Sequence, residues 1–217
     1  MRMNRVEKML MGSWMKTWLL CHYEAPLLER LGGRAQDLHV LEVGCGDGVG
    51  VDVILKRFGA RTVDALDIDP QQIELARRRL TDYSQDRVHL MTGDVTEIPA
   101  PDDSYDSVYD FALLHHVVDW RRAITEIRRV LRPGGRFFFE EVPGSSLASW
   151  PARVLLDHPS EDRFEAAEFM TELRSQGFES GPVTERVHGH LFLGVGRRAS
   201  RGVVSSLDEG TDRAQYS

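Results

Sequence analysis

The stretch Val40-Leu41-Glu42-Val43-Gly44-Cys45-Gly46-Asp47-Gly48-Val49-Gly50 decides the fold. A short apolar run, Leu38 to Val43, enters glycines at alternate positions, and a helical pattern leaves them from Val49 to Phe58, closing at Gly59. Glycine permits tight turns and lets a ligand approach the main chain. The helix that follows offers unsatisfied N–H groups. A plain structural turn needs fewer glycines. A phosphate-binding Walker loop needs Gly-Lys-Ser/Thr, and no lysine stands here. A dinucleotide fingerprint needs a glycine three residues after its second, and counting from Gly46 that place is Val49. This weakens an NAD-dependent oxidoreductase but leaves it open.

Outward from the loop, strand and helix patterns alternate. Thr62 to Ile68 reads as a strand, and Asp69-Pro70 as the N-cap and first turn of a helix through Leu80. Val88 to Met91 and Tyr105 to Leu114 read as strands, and Asp119 caps a helix with Ala123, Ile124, Ile127, Val130 and Leu131 on one face. Pro133-Gly134-Gly135 predicts a turn, Arg136 to Val142 a strand, and Phe164 to Gln176 a helix. Val183 to Val187 and Gly189 to Gly196 predict a closing antiparallel hairpin. Regular alternation of this kind predicts an α/β fold: a Rossmann-like, doubly wound, seven-stranded, mostly parallel sheet with an antiparallel final strand. Ligands of such sheets bind beyond the carboxyl ends of the strands.

The flanks read differently. Residues 4 to 30 predict an amphipathic helix, with Val6, Leu10, Trp14 and Trp18 in one stripe. Pro26 interrupts or restarts it, and Gly32-Gly33 ends it. Trp14, Trp18 and Tyr23 suit a lid that also packs on the domain, and a basic amphipathic helix also suits contact with a membrane surface. The N-terminal segment does not read as a leader, because Lys16 breaks the apolar run and Leu20 is too bulky for a cleavage site. The chain is therefore expected to be one domain over 1–217, with a helical lid over 1–37, a core over 38–197 and a disordered tail over 198–217.

Composition narrows the function. The 217 residues carry 27 Lys+Arg against 34 Asp+Glu, a net charge of −7, which disfavours a nucleic-acid partner. The two cysteines, Cys21 and Cys45, match no metal spacing and no disulfide framework, so a reducing, cytoplasmic setting is expected. Asp157-His158 and Glu161-Asp162 form no recognisable metal site, and none is expected. No segment has the length of a membrane span.

Glu42, Gly44, Gly46 and Gly48 form Glu-x-Gly-x-Gly-x-Gly, and here the sequence resembles the class I S-adenosylmethionine-dependent methyltransferases. The likeness continues in register with Asp67, which lies 21 residues after Gly46, and with Thr92-Gly93-Asp94-Val95. It extends through Phe111-Ala112-Leu113-Leu114-His115-His116, Asp119, Leu131-Arg132-Pro133-Gly134-Gly135 and Glu140-Glu141. Over roughly 38–142 the chain is similar to the small-molecule methyltransferases that include the ubiquinone and menaquinone C-methyltransferases. The resemblance implies S-adenosyl-L-methionine as cofactor. Glu42 would lie near its ammonium group, Asp67 on the ribose hydroxyls, Ile68 on the adenine and Asp94 at the adenine amine. Gly44, Cys45, Gly46, Val95 and Phe111 would complete the cofactor-binding set. It also implies a small-molecule substrate, held by the flanks.

Methyl transfer from a sulfonium is mainly a matter of alignment, although an acceptor can require a base. His115 and His116 follow the fourth strand, at the correct end of the sheet, and histidine titrates near neutrality. At an extended strand end adjacent residues point apart, so at most one of the two is expected to face the substrate. Glu141 closes the fifth strand beside Glu140 and is the third catalytic candidate. A non-catalytic binding protein on the same fold stays an alternative.

Overall fold

A computed structural model describes residues 14–147, 163–186 and 190–200. The expected helix over 4–13, the acidic and histidine pairs between 157 and 162, and the tail from 201 lie outside the described residues. Seven strands form one sheet in the order β3-β2-β1-β4-β5-β7-β6. They are β1 (His39–Val43), β2 (Thr62–Asp67), β3 (Val88–Thr92), β4 (Tyr105–Phe111), β5 (Leu131–Glu141), β6 (Phe178–Arg186) and β7 (Leu191–Arg198). Strands β1 to β5 pair in parallel, and β7 runs antiparallel to both β5 and β6. The expected doubly wound sheet and closing hairpin are present. The chain order reverses beside β1, between β2 and β4, which places the crevice for a ligand at the glycine loop.

The helices are α1 (Trp14–Leu19), α2 (Ala25–Gly32), α3 (Val49–Val53), α4 (Pro70–Arg79), α5 (Trp120–Val130), α6 (Gly144–Leu147) and α7 (Ala166–Ser175). A π-helical turn, Leu20–Glu24, joins α1 to α2, with the Ala25 N–H donating to the Leu20 carbonyl. Pro26 follows at once in the first turn of α2, where its missing N–H costs nothing. The proline restarts the helix through a wide turn and does not break it. Another π-turn, Ile54–Phe58, extends α3 to the left-handed Gly59.

Alternation along β5 divides the core. Phe137 and Phe139 face one side with Trp120, Phe164 and Phe169, while Phe138 faces the other with Phe58 and Tyr109. The Tyr109 and Phe138 rings stack with centroids 4.4 Å apart. Both faces are covered, so the central strands are mostly apolar, with Glu42, Ser107 and Asp110 as buried polar exceptions. On the second face α2 buries Ala25 and Leu28, and Arg136 donates to the carbonyl of Arg34 just beyond the helix. Trp18, Leu19 and Tyr23 stay exposed.

Several boundaries differ from expectation: β4 ends at Phe111 and not Leu114, β6 begins at Phe178 and not Val183, and two further differences have a clear cause. The register steps from Tyr105 opposite Leu131 to Ser107 opposite Arg136. Pro133-Gly134-Gly135 therefore bulges out within β5 and does not precede it as a turn, because ladder bonds resume on both sides. Arg198, expected in a disordered tail, ends β7 and is buried, where it pairs with Asp103 and reaches the Leu131 carbonyl. Those acceptors offset its desolvation.

Candidate active site

The glycine loop is fastened to β2 from two directions. The N–H groups of Gly44 and Cys45 both donate to the Leu66 carbonyl, at 2.7 and 3.0 Å. The Gly46 N–H donates to Asp67 Oδ2 at 2.9 Å, and Asp67 Oδ1 accepts from the Asp69 N–H at 2.9 Å. Gly46 has φ +54°, and a Cβ built there would meet nothing within 4 Å. Its glycine is thus required by the backbone, and the space above it is open to a ligand. Gly50 is required for the opposite reason: an added Cβ would lie 1.9 Å from Glu42 Oε1. The buried carboxylate of Glu42 leans directly on the first turn of α3, with Phe111 beside it.

A cavity of about 300 Å³ opens beyond the carboxyl ends of β1, β2 and β3. The structure brings five of the expected cofactor residues to its wall: Gly44, Asp67, Ile68, Asp94 and Val95. Ile68 is 44% exposed, high for an isoleucine, and offers a flat apolar face. Asp94 Oδ1 accepts from both the amide and the hydroxyl of Thr96 at 2.8 Å, which sets the turn. Glu42, Cys45, Gly46 and Phe111 are absent from this lining. Burial pushes the Cys45 thiol well above its usual range, and the nearby carboxylates of Glu42 and Asp67 add to the effect, so it is no nucleophile. A larger hollow, about 390 Å³, lies between α4 and the start of β3, away from the strand carboxyl ends.

The far wall comes from the chain after β4. Ala112 adopts φ +62°, turning the backbone sharply. A 3-10 turn follows, Leu114–His116, so the histidines are not at an extended strand end. The expectation that they point apart fails there, because the turn brings their rings within 4.1 Å, centroid to centroid. His116 lines the cavity with Leu113, Val117 and Val118. The His115 side chain is only 7% exposed, and its Nδ1 lies 2.6 Å from Glu141 Oε2. Glu141 is fully buried and accepts from the N–H groups of Leu114, His115 and Val142. Asp110 accepts from the Leu113 N–H at 2.8 Å. Asp110, Leu113 and Thr96 were not picked out from sequence; an aspartate inside the apolar run Tyr105 to Phe111 was the signal for the first.

A methyltransferase-domain model matches residues 41–139. A Mycolicibacterium smegmatis protein named "Probable S-adenosylmethionine-dependent methyltransferase" is 36% identical over 179 residues, covering 82% of this chain and 66% of that protein. The chain belongs to the class I S-adenosylmethionine-dependent methyltransferases. The fatty-acid O-methyltransferase of the same organism is 34% identical over 121 residues, 55% of this chain and 43% of that protein. The chain thus spans between about two fifths and two thirds of the length of these relatives. Among solved structures, the geranyl diphosphate C-methyltransferase of Streptomyces coelicolor, in complex with Mg2+, geranyl diphosphate and S-adenosylhomocysteine, superposes with a TM-score of 0.67. It is 16% identical, and the match covers 81% of this chain and 80% of that one. A methyltransferase from Mesorhizobium loti gives the same TM-score at 20% identity, covering 80% and 96%. Family membership sets aside the dinucleotide alternative.

Proposed function

We propose that the protein transfers the methyl group of S-adenosylmethionine to a small organic acceptor by in-line displacement. One observation carries this reading: Gly44, Asp67 with Ile68, and Asp94, following the ends of β1, β2 and β3, converge on a single cavity whose far wall bears His116. The cofactor supplies an activated methyl on a sulfonium; the protein's task is to hold and align. Asp67, whose carboxylate lies on the cavity wall, accepts from the ribose hydroxyls. Ile68 packs on the adenine, and Asp94 accepts from the adenine amine. Glu42 supports the ammonium end from beneath the loop. Cys45, Gly46 and Val95 shape the backbone path, and Phe111 backs the loop from the core. His116 is the imidazole on the cavity wall and serves as the base where the acceptor needs one. His115 and Glu141 stand behind it.

The wall around His116 is apolar, formed by Leu113, Val117 and Val118. An acceptor group on a largely apolar molecule fits that wall, and the named relatives act on a fatty acid and a prenyl diphosphate. We read residues 1–37 as a lid that packs through Leu20, Ala25 and Leu28 and keeps Trp18 and Tyr23 free for substrate or a membrane surface. Among the described residues no helix is long and apolar enough to cross a membrane. The two separated cysteines, which suit a reducing compartment, are the ground on which we place the protein in the cytoplasm.

The test is calorimetric titration with S-adenosylhomocysteine, followed by transfer of a labelled methyl group to metabolites of a cell extract. Saturable binding with labelled product is expected, and His116→Ala should cut the transfer rate by about 10²–10⁴ with affinity retained. Tight NAD binding without S-adenosylhomocysteine binding would sink the reading.

A further inference from the structure

Asp110 and Glu141 sit on neighbouring parallel strands. Asp110 pairs in register with Phe139, so Glu141, two residues on, points to the same face of the sheet. Both are completely buried. The register brings their carboxyl groups close enough to act on each other, and the one hydrogen bond that two acids can make needs a proton between them. Two carboxylates side by side, without water, cannot both ionise at ordinary cost.

The donors around the pair are unequally shared. Glu141 Oε1 accepts from Leu114 N–H at 2.6 Å. Its Oε2 accepts from His115 N–H at 3.2 Å, Val142 N–H at 3.3 Å and His115 Nδ1 at 2.6 Å. Asp110 Oδ1 accepts only from Leu113 N–H among the described residues, and its Oδ2 is buried without an N–H or hydroxyl donor. An anion belongs where the donors are, and a neutral acid where they are not. Consistent with this, burial drives the Asp110 carboxyl well above the carboxylate range, and the Glu141 charge drives it further.

We propose that the pair holds a single proton, that it resides on Asp110, and that the carboxylate of Glu141 thereby fixes His115 as the Nδ1–H tautomer and locks the turn that presents His116 to the cavity. This makes Asp110 a positioning residue, two bonds of influence removed from the chemistry, and it rests on the reading of His116 given above. The device also accounts for Ala112. A left-handed alanine is unfavourable by about 1–2 kcal/mol and persists only where its surroundings over-determine it. Here the amides of residues 113, 114 and 115 immediately after it are each taken by one of the two acids. Among the described residues, the other ionisable neighbours are Glu140, on the opposite face of β5, and the His116 ring tilted against His115.

The full chain, labelled with 15N-histidine, reports the tautomer of His115 directly by long-range 1H–15N correlation, the signal being assigned by its loss in His115→Asn. The wild-type protein near pH 8 should show a pyrrole-type Nδ1 and a pyridine-type Nε2. Asp110→Asn keeps a permanent donor toward Glu141 and should leave that pattern in place, whereas Glu141→Gln removes the anion and should abolish it. A wild-type His115 in the Nε2–H form overturns the proposal, even if no variant folds. So does a pattern lost in Asp110→Asn and kept in Glu141→Gln. Calorimetry with S-adenosylhomocysteine on the same samples separates the two readings, because absent binding with the expected tautomer refutes the methyltransferase assignment and leaves the proton assignment standing.

Discussion

The molecule uses one local device twice, at the end of β2 and across the ends of β4 and β5. In each place a carboxylate at a strand terminus collects the N–H groups of the next loop: Asp67 takes Gly46 and Asp69, and Glu141 takes Leu114, His115 and Val142. The difference is burial. Asp67 lines an open cavity, where a ligand can reach its carboxylate. Glu141 is sealed from solvent and shares its pocket with a second acid. The backbone differs too. The left-handed residues beside Asp67 are Gly44 and Gly46, whereas the one beside Glu141 is Ala112. The same hydrogen-bond pattern therefore makes a binding site where it is wet and a rigid, charge-sensitive scaffold where it is dry.

The largest effect should come from breaking the dry clamp. Glu141→Ala strips the acceptor from three backbone amides and an imidazole in a buried site, and should cost about 3–5 kcal/mol, as for other broken buried charge networks. Asp67→Ala leaves its amides near water and should cost only about 1 kcal/mol. Urea unfolding of both variants checks this. Equal losses would mean that burial is not what distinguishes the two sites.

The ranking should invert for cofactor affinity. If Asp67 accepts from the ribose as proposed, Asp67→Ala should weaken S-adenosylhomocysteine by about 1.5–3 kcal/mol, roughly ten- to hundredfold. Because Asp67 also holds the Gly46 amide, Asp67→Asn is the cleaner variant: it keeps an acceptor for the loop and loses the charge. An intermediate loss is expected by calorimetry. Full affinity in Asp67→Asn would show that the carboxylate serves the loop alone.

Most of the first region was legible in the sequence, and little of the second was. Spaced glycines after an apolar strand, then acids at the ends of the next two strands, form a local pattern with a local meaning. That pattern located Gly44, Asp67, Ile68, Asp94 and Val95 on one wall. The second clamp depends on residues some thirty positions apart, Asp110 with Glu141, brought together only by parallel pairing and a bulge at Pro133–Gly135. No periodicity announces the register of two strands joined by a helix. His115 and His116 were identified as a pair, but the left-handed turn at Ala112 that brings their rings together has no sequence signature, since alanine rarely adopts it. Conversely, Arg198 looked like tail because its charge suits solvent, and only Asp103 and a spare carbonyl explain its burial.

Acid titration should pull the wet and dry ends of the molecule apart. Burial raises the Glu141 carboxyl from 4.5 to about 7, against the lowering effect of Asp110 and the loop amides. The native state then binds a proton that the unfolded chain releases, so this pair favours folding at low pH and loses that contribution as pH rises from about 4.5 to about 7. Asp64, between β1 and β3, behaves oppositely. Burial would raise its carboxyl, but hydrogen bonds from His39, Tyr105 and His89 outweigh burial and lower it below 3.8. Its contribution is complete above that value and is lost as pH falls through the native one. Glu141→Gln should therefore flatten the upper limb of the stability profile and Asp64→Asn the acid limb, read by urea midpoints from pH 3 to 8. The two variants having the same profile would refute the assignment of the limbs.

The smallest effect tests the backbone. If the dry clamp holds Ala112 in the left-handed region against its preference, Ala112→Gly removes strain worth about 1–2 kcal/mol and returns about 0.5–1 kcal/mol through the greater freedom of the unfolded chain. A net stabilisation of up to about 1 kcal/mol is expected, detectable as a rise in Tm of a few degrees. The same substitution in a Glu141→Ala background should help less, since a turn released from its carboxylate no longer needs φ near +62°. Equal gains in both backgrounds would show that strain at Ala112 is set by its own strand end and owes nothing to the acids. That outcome would reduce the second clamp to ordinary loop capping, and the contrast with the glycine loop would then be one of sequence alone.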